Sequence, residues 1–132
     1  MIPAFTTEGL LPPGVHPATM NEFEERFGRG SEVRRDQMQS LRWLLAELDG
    51  LDVSRIVING SFVTNVFEPN DVDVAVEVPI DLVLRLDADA AIRDLPIVHL
   101  HALVPSAFKV FVESVYGKDR VGRAKGMIEV TT

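Results

Sequence analysis

The clearest pattern in the chain is the helical spacing of apolar residues between Ser31 and Gly50. Apolar side chains recur there at intervals of three and four residues, which predicts an amphipathic helix. Ser31 is a typical helix N-cap, and Gly50 is a typical stop. We expect three leucines of this helix to pack against a sheet: Leu41, Leu45 and Leu48.

Three further segments favour helices. Thr19 and Glu22 have the T-x-x-E spacing of a capping box, and the following apolar pattern runs to Gly28. Residues 106–117 repeat apolar positions at helical spacing, and residues 80–95 do so with acids that predict an interruption. The large aromatic side chains on these helices are predicted to be core residues: Trp43, Phe108 and Phe111.

Four segments instead have the apolar, β-branched or alternating pattern of strands. They are RIVING (55–60), DVDVAVEV (71–78), LPIVHLHALVP (95–105) and KGMIEVT (125–131). The valines of the second segment are expected to form its core face. Residues 7–18 are rich in proline and glycine and are predicted to be a loop, so residues 1–18 form an N-terminal loop segment. The order of elements predicts a single α/β (α+β) domain over 1–132, with a mixed sheet of four to five strands and helices mainly on one face.

Composition narrows the chemistry that this domain can carry. The chain has no cysteine, so a disulfide framework, a thiolate nucleophile and a Cys-based zinc site are excluded. Its net charge of −7 argues against strong binding of duplex nucleic acid. No signal peptide or membrane-spanning run is visible, so we expect a cytoplasmic protein that does not contact a membrane.

Two acids interrupt the alternating strand at positions that share a face, Asp71 and Asp73. Two carboxylates about 7 Å apart repel by about 2 kcal/mol at an effective dielectric near 20. A bound cation would reverse this repulsion, and Mg²⁺ accepts one or two protein carboxylates together with water and substrate phosphates. Asp71 and Asp73 are therefore candidate ligands of Mg²⁺ or Mn²⁺, and an exposed strand with one solvated face is the simpler alternative.

Gly60 and Ser61 directly follow the strand RIVIN, where glycine lets backbone amides approach a phosphate and serine offers a hydroxyl and an N–H. The spacer of nine residues to Asn70 is long enough to bring this turn beside the acids. Gly60 and Ser61 are therefore candidate nucleotide-binding residues.

Gly60-Ser61, the spacer and Asp71-Val72-Asp73 resemble the signature of the nucleotidyltransferase superfamily related to DNA polymerase beta. The resemblance implies that the turn holds a triphosphate and that the acids bind metal ions. It also implies transfer of a nucleoside monophosphate from an NTP to a hydroxyl of a protein, RNA or small molecule. Residues 2–16, 22–28, 59–74 and 125–130 further resemble a small bacterial family of nucleotidyltransferase-like proteins.

The sequence departs from this superfamily at the third carboxylate, which members usually carry on the following core strand. Residues 97–104 contain no acid, but His99 and His101 share a face there, and His101 is the candidate third catalytic residue. Three alternatives remain: an enzyme in which a histidine is the base or Glu77 replaces the acid, an enzyme that prefers manganese, and a catalytically degenerate module that binds nucleotide or protein. In the last alternative, the protein would be one component of a toxin–antitoxin or phage-defence pair.

The sequence has one basic cluster, made of Lys118, Arg120, Arg123 and Lys125. Such clusters are usually solvated surfaces. We expect this one to lie away from the acids.

Overall fold

The computed structural model describes residues 1–119 and 121–131, which contain one mixed sheet. Its strands are β1 (Gly14–Thr19), β2 (Arg55–Asn59), β3 (Val72–Glu77), β4 (Val98–Leu103) and β5 (Gly126–Thr131). They lie in the order β1-β5-β2-β3-β4. The pairs β1–β5 and β3–β4 are parallel, whereas β2 is antiparallel to β3 and β5. The predicted mixed α/β sheet is confirmed.

The predicted helices are present with boundaries close to those expected. They are α1 (Met20–Phe27), α2 (Glu32–Leu48), α3 (Ile80–Asp87), α4 (Ala90–Arg93) and α5 (Pro105–Phe111), and α5 continues as a π-helical turn over Val112–Tyr116. Thr19 accepts a hydrogen bond from the Glu22 N–H at 3.2 Å, and Glu22 accepts one from the Thr19 N–H at 3.0 Å. The capping box predicted from sequence therefore begins α1.

The prediction of a loop over residues 7–18 is wrong for its last part, because residues 14–19 form β1. This strand lies at the edge of the sheet and pairs only with β5. Pro17 cannot donate a hydrogen bond, but an edge strand needs donors on one side only. The prolines that indicate a loop in the sequence are therefore compatible with an extended edge strand.

The sheet has an apolar layer on each face. The larger layer confirms the predicted valine face, because Val72, Val74 and Val76 are fully buried there. Ile58 of β2 and Ile128 of β5 belong to the same layer, and side chains of α1 to α4 cover it. On the opposite face, the helical segment 105–116 packs against the sheet. Its side chains Phe108, Val112 and Tyr116 form a smaller apolar layer with the strand residues Val57, Ala75 and Met127. Most of the helices thus pack on one face, as predicted.

Two packing predictions for α2 need correction. Trp43 is 39% exposed and is not a core residue, and Leu45 is only partly buried. Each residue turns the helix by about 100°, so Trp43 lies on the side away from Leu41. Leu44 takes the expected place of Leu45 in the core, whereas Phe108 is buried as predicted.

Across the described residues, none of the helices combines the length and the apolar character that crossing a lipid bilayer requires.

Candidate functional site

The predicted site residues meet where β2 ends and β3 begins. These strands are antiparallel neighbours, and the last residue of β2, Asn59, pairs with Asp73. Gly60 and Ser61 follow Asn59 directly, and a single 3₁₀ turn over Ser61–Val63 turns the chain away. The topology therefore brings the Gly-Ser turn and the acid pair together, as expected from the sequence.

Gly60 allows an unusually close approach between the turn and β3. Its φ is 90°, a region that residues with a side chain rarely adopt. A Cβ atom at this position would lie 3.0 Å from the Asp71 carbonyl oxygen and 3.1 Å from Oδ2 of Asp73. The backbone conformation therefore favours glycine, and the close contact with the acids adds to that preference.

We expect Gly60→Ala to lower the free energy of unfolding by about 2–3 kcal/mol, since it combines backbone strain with a steric contact. Gly50→Ala is the matched control, because Gly50 has a φ of 82° but a Cβ atom added there would meet no other group within 4 Å. The control should lose only about 1 kcal/mol. Urea denaturation measures both losses, and equal losses would show that the close approach at Gly60 has no energetic consequence.

Ser61 is hydrogen-bonded to Asp71 through both of its donors. Its hydroxyl donates to Oδ1 of Asp71 at 2.6 Å, and its N–H donates to the same oxygen at 3.2 Å. The hydroxyl oxygen also accepts from the Asn70 N–H at 3.0 Å. Ser61 therefore fixes the Asp71 carboxylate, and a phosphate would have to replace that carboxylate as the acceptor of these donors.

The two aspartates differ in proton affinity. Burial raises the pKa of Asp73 to about 6, and the hydrogen bond and charge of Asp71 contribute to this rise against the opposing charges of His99 and Lys125. Burial also raises the pKa of Asp71, but hydrogen bonds from Ser61 and Asp73 outweigh this effect, so that pKa lies below its usual value. The pair therefore shares a proton readily when no cation is bound.

The acid pair lies in a cavity of about 650 Å³ that is also lined by basic side chains. Lys118, Arg123 and Lys125 line it, so the prediction that the basic cluster lies away from the site is wrong for these three residues. Arg120 lies outside the described residues. The reason is topological: β5 pairs with β2, so the segment that precedes β5 passes the end of β2. The pairing of β5 with β2 could not be predicted from the spacing of residues in the sequence.

Two of the basic residues have different environments. Arg123 is held by Asp119 at 2.6 Å and by Glu8 at 2.9 Å. Lys125 is only 9% exposed, and within the described residues no carboxylate oxygen lies within 4.0 Å of its ammonium. Burial lowers the pKa of Lys125, while the charges of Asp71 and Asp73 oppose that shift. A buried cation without a close partner favours an anionic ligand.

The histidines lie on the acidic face at different distances from the pair. The β3–β4 register aligns Asp73 with His99 and Ala75 with His101. His99 is exposed, whereas His101 lines the cavity and stacks against Phe111, with 4.9 Å between ring centroids. Burial lowers the pKa of His101, so its imidazole is neutral at pH 7. The candidate catalytic residue His101 therefore reaches the cavity, but His99 is the neighbour of Asp73.

Glu77 does not reach the acid pair. It is the last residue of β3 and pairs with Arg55 on β2 and Leu103 on β4. At about 3.3 Å per strand residue it lies about 13 Å along the strand from Asp73. The alternative in which Glu77 replaces the third carboxylate is therefore wrong. Among residues 1–119 and 121–131, no three His, Asp or Glu side chains are grouped closely enough to hold a metal ion.

Two residues of the cavity were missed in the sequence, Asn59 and Tyr116. Each is at least 96% buried, and Oδ1 of Asn59 and Oη of Tyr116 have no hydrogen-bond partner within the described residues. Burial raises the pKa of Tyr116, and the charges of Asp73 and Asp71 raise it further, so its hydroxyl stays protonated. The available signal was the polar Asn59 at the end of an otherwise apolar strand.

A polar contact from α2 fixes the chain between the turn and the acids. We call Ser31, Arg34 and Gln37 the α2 clamp, because they lie three residues apart and donate to carbonyl oxygens of residues 62–69. Arg34 donates five hydrogen bonds, one to Phe27 O and four to loop carbonyls. Ser31 donates to Phe67 O at 2.9 Å and Gln37 to Pro69 O at 2.6 Å.

Comparison with known proteins identifies the family but not an activity. No curated protein and no solved structure matches this chain. The profile of one family matches residues 3–131, almost the whole chain, and that family is described as one of unknown function. The chain therefore belongs to the family DUF6932.

Proposed function

We propose that this protein is a metal-dependent nucleotidyltransferase that transfers a nucleoside monophosphate from an NTP to a hydroxyl of a protein, RNA or small molecule. One observation carries the proposal: the Gly60 turn, the Asp71–Asp73 pair and the buried Lys125 line one cavity. Phosphoryl-transfer chemistry uses backbone and hydroxyl donors at a glycine-containing turn, two acids that hold a metal ion, and a cationic side chain. The resemblance to the nucleotidyltransferase superfamily rests on four of the cavity residues: Gly60, Ser61, Asp71 and Asp73.

The donor set fits Mg²⁺ or Mn²⁺. Asp71 and Asp73 are half-buried carboxyl groups, and burial together with the neighbouring Asp71 raises the pKa of Asp73. A divalent cation held by both carboxylates would replace the shared proton, and Mg²⁺ prefers one or two such ligands. When bound, the cation would polarise the reacting phosphate and neutralise charge on the departing pyrophosphate.

The basic residues would bind the polyphosphate. Lys125 lines the cavity and has no carboxylate oxygen within 4.0 Å among the described residues. A triphosphate carries enough negative charge to attract Lys125 in spite of the net negative charge of the chain. Phosphate contacts of this kind position the donor nucleotide.

The cavity volume of about 650 Å³ lies in the range of small-molecule sites, so it would accommodate one nucleotide. The acceptor would approach from the open side of the cavity. We propose that it is a protein, an RNA or a small molecule, and that the reaction takes place in the cytoplasm.

Labelled transfer tests the proposal. Incubation with each α-labelled NTP, Mg²⁺ or Mn²⁺, and cell extract should yield a labelled product that Asp73→Asn abolishes. Asp52→Asn is the control, because Asp52 is exposed and lies outside the cavity. Label that persists in the Asp73 variant would refute the assignment.

A second candidate function is a nucleotide-binding module without transferase activity, acting in a toxin–antitoxin or phage-defence pair. It is favoured by the absence of an acid from β4 and by the use of both Ser61 donors on Asp71. Such a module should gain thermal stability from an NTP with Mg²⁺ while yielding no labelled product. It should also copurify with a protein partner, whereas a lone monomer would speak against it.

A further inference from the structure

We propose that Asn59 is a third oxygen ligand, through Oδ1, for the cation that Asp71 and Asp73 would hold. The inference rests on the proposed function, because it concerns the same cation. The superfamily pattern leads one to expect an acid on β4 as the third ligand. In this chain the third ligand would instead be a neutral amide oxygen on β2, the strand on the other side of β3.

The sheet register brings Asn59 beside Asp73. The two residues are Cα partners in the β2–β3 pair. Val57 and Ala75, which lie two residues away from them on their strands, are both buried in the smaller apolar layer. Alternate residues share a face, so Asn59 and Asp73 project on the same side, with Cβ atoms about 5 Å apart. Both residues also line the cavity.

The hydrogen bonds of Asn59 leave its oxygen available. Nδ2 donates to the backbone carbonyl of Tyr116 at 3.3 Å. Because that carbonyl can only accept, the amide cannot be flipped without placing two acceptors against each other. Oδ1 consequently faces away from Tyr116 O, and it has no donor within the described residues although Asn59 is only 4% exposed.

The surroundings of Oδ1 favour a cation over a protein donor. Asp71 and Asp73 line the same cavity, and a carboxylate oxygen that holds a cation can only accept a hydrogen bond. Of the other buried side chains in that layer, Phe108 and Met127 are apolar, and the Tyr116 hydroxyl makes no hydrogen bond with Oδ1 within the described residues. A buried carbonyl oxygen without a donor costs about 1–3 kcal/mol, and this cost is removed when the oxygen binds a hard cation.

With a neutral third ligand, the metal site carries less negative charge than a site made of three carboxylates. Two carboxylates and an amide carry one negative charge less than three carboxylates, and Lys125 lowers the negative potential further. Affinity for a free divalent cation falls as the number of charged ligands falls. The free cation should therefore bind weakly, and an NTP should strengthen its binding because the phosphates add negative oxygens.

Mn²⁺ is the probe that tests Asn59, because free Mn²⁺ can be counted directly by electron paramagnetic resonance. We expect Asn59→Leu to weaken Mn²⁺ binding about tenfold or more, since leucine has a similar volume and no oxygen donor. Asn59→Asp should strengthen binding of free Mn²⁺ about tenfold or more, because it adds a carboxylate. The opposite directions of these two effects distinguish a ligand from a packing residue.

The wild-type protein and Asp73→Asn complete the experiment. If Asp73→Asn abolishes Mn²⁺ binding but both Asn59 variants bind as the wild type does, Asn59 is not a ligand and the proposed function still stands. If the wild type binds no Mn²⁺ with or without NTP, the proposed function itself fails. Should Asn59→Leu not fold, as judged by urea denaturation in EDTA, the Asn59→Asp variant alone decides: unchanged or weaker affinity overturns the inference.

Discussion

Replacing Arg34 with methionine should lower the free energy of unfolding by about 3–5 kcal/mol, a large part of the stability of a domain of this size. Arg34 is 6% exposed, and its guanidinium serves four backbone carbonyls, three of them in residues 62–69. Each buried carbonyl left without a donor costs about 1–3 kcal/mol, and water can recover only part of this loss. Methionine keeps much of the volume and removes every donor.

Arg35→Met is the matched control, since Arg35 is the next residue of α2 and is exposed. Its effect should stay within about 0.5 kcal/mol. Arg34→Lys should be intermediate, because one ammonium cannot reach four carbonyls arranged around a planar fork. Midpoints of urea denaturation, compared at equal slopes, give the losses. Equal midpoints for the Arg34 and Arg35 variants would contradict the clamp.

Asp73→Asn should lower the proposed nucleotidyl transfer about a thousandfold or more, and it should stabilise the metal-free protein at pH 8 by about 1–2 kcal/mol. The pKa of Asp73 is raised from 3.8 to about 6 by burial and by Asp71. A rise of this size corresponds to about 3 kcal/mol, which screening reduces at a half-exposed carboxyl. Asparagine has a similar shape and cannot ionise.

The pH dependence gives this prediction its sign. The folded state holds the Asp73 proton more tightly than the unfolded state, so wild-type stability falls as pH rises from about 4 through 6. The variant should therefore gain over the wild type above pH 6 and lose that advantage near pH 4. Urea denaturation in EDTA at pH 4 and pH 8 measures the difference, with Asp52→Asn as the control. A variant less stable than the wild type at pH 8 would contradict the origin of the raised pKa.

Addition of Mg²⁺ should make the wild type more stable than Asp73→Asn at pH 8. A cation bound between Asp71 and Asp73 stabilises only the folded wild type, by an amount that grows with its concentration over Kd. The melting temperature of the wild type should then rise with Mg²⁺, while that of Asp73→Asn should stay constant.

Local signals in the sequence were enough for most of the fold. The Thr19–Glu22 capping box and the Ser31 N-cap are complete within four residues, so the starts of α1 and α2 could be predicted. The alternating valines of β3 likewise allow its buried face to be predicted from the sequence. The edge strand β1 could not be predicted, because its partner β5 is more than a hundred residues away and its prolines resemble those of a loop.

The site was only partly predictable for the same physical reason. The contact of Gly60 with Asp71 and Asp73 follows from neighbouring strands joined by a short connection. The approach of Lys125 depends on the pairing of β5 with β2, and the bonds of Arg34 reach about thirty residues along the chain. Which histidine lies beside Asp73 depends on the register between β3 and β4. The alternating pattern of the sequence does not determine that register.

The α2 clamp holds main-chain oxygens, so the identity of the side chains between Thr64 and Glu68 is left free. Val66 is 46% exposed and Phe67 68% exposed, and Val66 lines the cavity. A substitution at Val66 would change the shape and polarity of the cavity wall, while the peptide groups held by the α2 clamp stay in place. The shape of the cavity wall can therefore change at this segment without a change in Gly60, Asp71 or Asp73.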